Sequence, residues 1–172
     1  MKNCTKQWID IKLKLDDAAI TTNIELLNFF MQWFEKTWFN QPQSISYMED
    51  VKRLLLYNPQ NYPINCTCDP VEDTIRRIMN LNFTKCSELT MVVYNLLWDM
   101  LAYKSEESCP RCIFPALRYL EVSESGEPVM ECEQCGIILR LNAKEFIVNS
   151  ETFFPASITT LKKYNLCNRK CC

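Results

Sequence analysis

Two short stretches, Cys109-Pro110-Arg111-Cys112 and Cys132-Glu133-Gln134-Cys135-Gly136, decide how the second half of this chain is read. Each pair of cysteines is separated by two residues, and nineteen residues lie between the pairs. The chain holds eleven cysteines and no histidine. A Cys-x-x-Cys segment can bend into a knuckle that aims both sulfurs at one point. Two knuckles then supply four thiolates, the tetrahedral set that Zn(II) prefers. Gly136 gives the second knuckle the backbone freedom it needs as its amides turn toward sulfur. Pro110 stiffens the first.

This segment resembles the zinc-ribbon family, over about residues 105–141 only. The resemblance implies Cys109, Cys112, Cys132 and Cys135 as the four ligands of a structural Zn(II), with no open position on the metal. The stretches 113–122 and 129–141 are expected as the two arms of a β-hairpin around the polar turn 123–128. An iron centre of rubredoxin type would use the same ligands. A thioredoxin-like redox pair should follow a buried strand and open a helix; here CPRC follows Ser105-Glu106-Glu107-Ser108 and precedes a β-like run.

Residues 1–104 read as a helical domain. Residues 7–15, QWIDIKLKL, alternate apolar and polar and predict an N-terminal strand. From Asp17 to about Phe39 the period changes to three and four, through Ile20, Ile24, Leu27, Phe30, Met31, Phe34 and Trp38, which predicts a helix. Ser46 with Glu49 looks like a capping box for a helix ending before Pro59. Asp69-Pro70-Val71-Glu72 opens another, through Ile75, Ile78 and Met79. Leu89, Val92, Val93, Leu96, Leu97, Met100 and Leu101 form the most regular stripe. Residues 142–172 are expected as a tail packing back on the core, with a cap at Asn142–Glu145 and a short helix over 157–164. The expected fold class is mainly α: a helical bundle with an N-terminal strand and an inserted C-terminal zinc-ribbon hairpin.

No apolar run reaches 18 residues, so no membrane span is expected. The charged start is unlike a secretory signal, which points to a reducing cytoplasm, where paired cysteines read as metal ligands before disulfides. A secreted rival would use the triplets at Asn3, Asn65 and Asn82 as glycosylation sites. The net charge is -2. Its distribution is uneven: residues 105–141 carry 3 basic and 7 acidic side chains. A ribbon gripping nucleic acid needs basic fingers.

A closed four-thiolate shell and the lack of histidine argue against catalysis, and the carboxylates Glu72, Asp73 and Asp99 show no paired spacing. The sequence therefore predicts a non-enzymatic, protein-binding zinc-ribbon protein. Its profile is similar to that of bacterial toxin-immunity proteins, whose partner would be a basic toxin domain. The alternative is a nucleic-acid-binding or transcription-related ribbon using Arg76, Arg77, Lys162, Lys163, Arg169 and Lys170. Cys66 and Cys68 in a loop could join Cys167 and Cys171 of the tail in a second metal site, or these cysteines and Cys172 could be small apolar groups and a reactive tail.

Overall fold

The computed structural model describes residues 4–38, 58–64, 70–82, 86–142, 144–146 and 151–167. The chain divides into two compact units, one of residues 1–59 and 68–100, the other of residues 60–67 and 101–172. Among the described residues no helix is long and apolar enough to cross a membrane.

The first unit holds helices α1 (Cys4–Asp17), α2 (Asn23–Trp38), α3 (Val71–Asn80) and α4 (Cys86–Leu101), the last ending at the unit boundary. The predicted N-terminal strand is thus a helix. Trp8, Ile11 and Leu15, spaced by three and four, are buried, while Ile9 and Leu13 are 52% and 61% exposed. Ile11 and Leu15 fit either period; Trp8 decides between them, because it completes a helical face. No described strand lies in this unit to pair with residues 7–15, and an unpaired strand is not stable. The helix also satisfies the C-terminal end of α3. Trp8 Nε1 donates to the Leu81 carbonyl at 2.8 Å and Lys12 Nζ donates to the Met79 carbonyl at 2.6 Å. Those groups lack partners within α3 itself, and the ammonium also faces the negative end of the helix dipole.

Helix α2 starts at a capping box that the sequence reading passed over. Thr22 Oγ1 accepts from the Glu25 amide at 3.2 Å, and Glu25 Oε2 accepts in return from the Thr22 amide at 3.0 Å. The Thr21 amide adds a second bond to that carboxylate and the Thr21 hydroxyl a third, and the amide is the largest cause of its lowered pKa. Leu26, Leu27, Phe30 and Trp33 form the buried face of α2. In α4 the expected stripe holds at Val93, Leu97, Met100 and Leu101, all buried. The predicted helix between Ser46 and Tyr57 lies outside the described residues.

The second unit is built on a five-stranded antiparallel sheet: β1 (Tyr103–Lys104), β2 (Arg118–Val122), β3 (Pro128–Glu131), β4 (Ile138–Arg140) and β5 (Phe153–Pro155). The strand order is β1-β2-β3-β4. β5 shares an edge of β2 with β1: Tyr103 pairs Tyr119, whereas Phe154 pairs Glu121. The expectation of a mainly α protein is therefore overturned. The fold is α+β, with a sheet where a single inserted hairpin was expected. The hairpin arm 129–141 breaks into β3 and β4 because the second Cys-x-x-Cys turn sits between them. Gly126, at φ +65°, closes the β2–β3 turn.

A short helix α5 (Ile158–Lys163) closes the unit at the expected place. Ser157 caps it, its Oγ accepting from the Thr160 amide at 3.2 Å. Asn165 takes the left-handed conformation just beyond its end, at φ +55°. The Asn165 amide bonds to Lys162 and the Leu166 amide to Leu161, a Schellman ending. Asn142 caps no helix; its Oδ1 accepts from the Lys144 amide in a turn before a bridge at Glu145.

Candidate metal centre

The two cysteine knuckles follow one local plan. Ser108 and Pro115 pair across the first, and Glu131 and Ile138 pair across the second. In the first, the Cys109 amide donates to the Phe114 carbonyl at 2.9 Å, and the Ile113 amide donates to the Cys109 carbonyl at 2.9 Å. In the second, the Cys132 amide donates to Ile137 at 3.0 Å and the Gly136 amide to Cys132 at 2.8 Å. The chain thus makes the same tight turn twice, and each turn points two sulfurs inward.

The four sulfurs lie within 4.8 Å of one another. Cys109 and Cys135 approach to 3.7 Å, and Cys112 and Cys132 to 3.4 Å. All four carry free thiols. A tetrahedron of Zn–S bonds of about 2.3 Å has sulfur–sulfur edges of about 3.8 Å. The observed spacing brackets that edge, so a metal of this size fits with small adjustments. Cys109 and Cys132 are buried, at 1% and 0% exposure, and belong to the core with Leu117, Tyr119, Met130, Leu139, Ala156 and Leu161. Cys112 lies on the exposed side.

Backbone amides already point at sulfur. The Arg111 amide donates to Cys109 Sγ at 3.4 Å. Burial pushes the Cys109 thiol up. The amides of Cys112 and Arg111, with the thiols of Cys132 and Cys112, outweigh that and bring it down to about 6. Cys112 receives the Phe114 amide, which favours its thiolate. Burial and the sulfurs of Cys132, Cys109 and Cys135 outweigh that amide and push it up to about 12. Cys135 receives the Ile137 amide and is raised by burial and by Cys132 and Cys109. Before a metal binds, negative charge is favoured on Cys109 and protons are favoured on Cys112 and Cys135. A divalent cation reverses that preference.

Carboxylates and cations flank the second knuckle. Arg118 reaches Glu131 at 2.9 Å and Glu133 at 3.5 Å. Lys104 lies 3.9 Å from Glu133. Arg140 pairs with Glu127 and stacks on Phe146 at 4.6 Å. Two of the three arginines in 105–141 are therefore held by carboxylates of the same segment. Arg140 and Glu127 also line an open cleft of about 280 Å³ with Pro128, Leu141, Asn142 and Tyr164. That volume is at the low end for a small-molecule site, and the two charges already face each other.

Among the other cysteines, Cys167 is disulfide-bonded and offers no thiolate to a second metal site. Cys66, Cys68, Cys171 and Cys172 lie outside the described residues, as do the three glycosylation-like triplets in whole or in part. The spacing of the cysteines announced the centre. The arginine–glutamate pairs beside it and the left-handed residue after Cys112 gave no such signal. Comparison with protein-family models, with curated proteins and with solved structures found no significant match to this chain.

Proposed function

We propose that Cys109, Cys112, Cys132 and Cys135 hold one structural Zn(II), and that the protein works without catalysis, by contact with another protein. The observation that carries the metal is the meeting of four free thiols from two like turns within 4.8 Å. Four thiolates fill the coordination sphere of zinc and leave no place for water or substrate. The metal's role is then to order the polypeptide, because its binding free energy is folding free energy.

The contact role is supported by how charge is used. With Arg118 and Arg140 engaged internally, the segment presents the exposed carboxylates of Glu106, Glu107 and Glu124. Such a surface favours a basic protein over a phosphate backbone. A basic toxin domain neutralised by an immunity-type protein is the instance that the sequence profile suggests.

Metal analysis of gently purified protein should find one zinc per chain. Substitution by Co(II) should give the absorption of a four-thiolate tetrahedral site. Absence of both zinc and iron, or a disulfide map joining these four sulfurs, would sink the metal reading. Salt-sensitive retention on DNA, without capture of a basic protein from the native host, would replace the protein partner by a nucleic acid.

A further inference from the structure

The two knuckles share their backbone hydrogen bonds and their flanking pairs, yet differ in the residue that follows the second cysteine. Directly after the second cysteine of each, the backbone must enter the left-handed region. Gly136 does so at φ +69°. In the first knuckle the same place is held by Ile113, at φ +60°. A left-handed L-residue brings Cβ against its own backbone, and branching at Cβ worsens the clash. Burial does not offset the strain, because Ile113 is 81% exposed. Three residues on, Ala116 is also left-handed, at φ +73°. The first arm therefore carries two left-handed non-glycine residues, while the second knuckle turns on a glycine.

Strain of this kind persists only where surrounding structure enforces it. Here the enforcing elements are the Ile113-to-Cys109 and Cys109-to-Phe114 hydrogen bonds and, on the reading above, the metal between the sulfurs. Cys112, adjacent to Ile113, is the exposed ligand. We infer that Ile113 sets the metal affinity of the centre, holding it below what the scaffold permits, and that the Cys109–Cys112 knuckle is the half that lets go first. The strain is present in the loaded state and is released when the first knuckle opens. The inference rests on the cluster being a metal site.

The test is zinc competition against a chelator on the full chain, with equilibrium affinity and zinc release rate both measured. Ile113→Gly should tighten binding by about fivefold, and tenfold at most, after the extra chain entropy of glycine is deducted. The gain should appear as slower release. Ile113→Asn, which tolerates the left-handed region, should fall between, and serves if the glycine variant does not fold. Gly136→Ala should weaken binding. A Cβ there meets nothing within 4 Å, so the loss would come from the backbone alone. A wild-type chain that binds no zinc removes the metal reading itself. A wild type that binds zinc, with Ile113→Gly and Ile113→Asn unchanged in affinity and release, overturns this inference and leaves the metal reading standing.

Discussion

Replacing Cys112 or Cys132 by serine, with and without zinc, separates two roles that the sulfurs combine. Both substitutions remove one of four thiolates. A structural zinc site is worth about 10–16 kcal/mol at neutral pH, so one ligand accounts for roughly 3–4 kcal/mol. For a unit of this size that is on the order of 20 °C in melting temperature. The two positions differ in burial. Cys112 is exposed, whereas Cys132 is 0% exposed in the core beside Met130 and Leu139. A serine at Cys132 adds a desolvated hydroxyl, costing about 1–3 kcal/mol more. With zinc, Cys112→Ser should lower stability by the ligand share and Cys132→Ser by that share plus the burial cost. In chelator, Cys112→Ser should match wild type within about 0.5 kcal/mol, while Cys132→Ser keeps its burial cost. Urea denaturation followed by tryptophan fluorescence and by far-UV circular dichroism would measure all six samples. Equal stability of wild type with zinc and with chelator would refute the reasoning, since the metal would then contribute nothing to folding. So would a Cys112→Ser variant as unstable in chelator as in zinc.

Zinc binding should strengthen as pH rises. Cys112, pushed up to about 12, and Cys135, also raised, are protonated in the metal-free cluster and must lose those protons to bind. The metal-bound state therefore carries fewer protons than the free one, and acid favours release. At least two displaced protons give a change in affinity of about a hundredfold or more per pH unit near neutrality. The dependence steepens as pH falls through about 6, where Cys109 also becomes protonated. Chelator competition across this range checks it, and a slope below one proton would contradict the charge distribution. Glu121 Oε2 accepts from the Ser157 amide and hydroxyl, each at 3.2 Å, and from the Thr160 hydroxyl at 2.5 Å. Glu121→Ala should cost about 2–3 kcal/mol, and Glu121→Gln should recover much of it, as read by thermal melting.

What was legible in the sequence was whatever depends on near neighbours. Paired Cys-x-x-Cys spacing is local, so the knuckles and their convergence could be anticipated. The stripe in α4 and the cap at Ser157 are local too. The error at residues 7–15 arose because Ile11 and Leu15 satisfy a period of two and a helical period alike. Trp8, the residue that discriminates, is an amphipathic aromatic that either scheme could place outside. The Thr22–Glu25 box was local and could have been read from Thr-x-x-Glu. β1 and β5 are two and three residues long and exist only through their pairing with β2, which no local pattern encodes. The strain at Ile113 was also hidden, because its φ follows from the turn that two distant sulfurs share.

The position of the cysteines in the core explains why the metal should matter beyond its own loop. Among the described residues, Cys109 and Cys132 are two of the eight buried in the cluster that joins β2, β3, β4 and α5. Partly buried Phe114, Cys135 and Ile137 pack against the same cluster. A unit as small as this one gains from a staple when it folds. Its thiols stand where a larger domain would place leucines. Removing the ion would take away the tie between the two knuckles at the centre of that core. The loss should therefore reach the edge strands and α5 as well as the knuckles. That follows only if the sulfurs share one ion, because two separate disulfides would hold the same core without it.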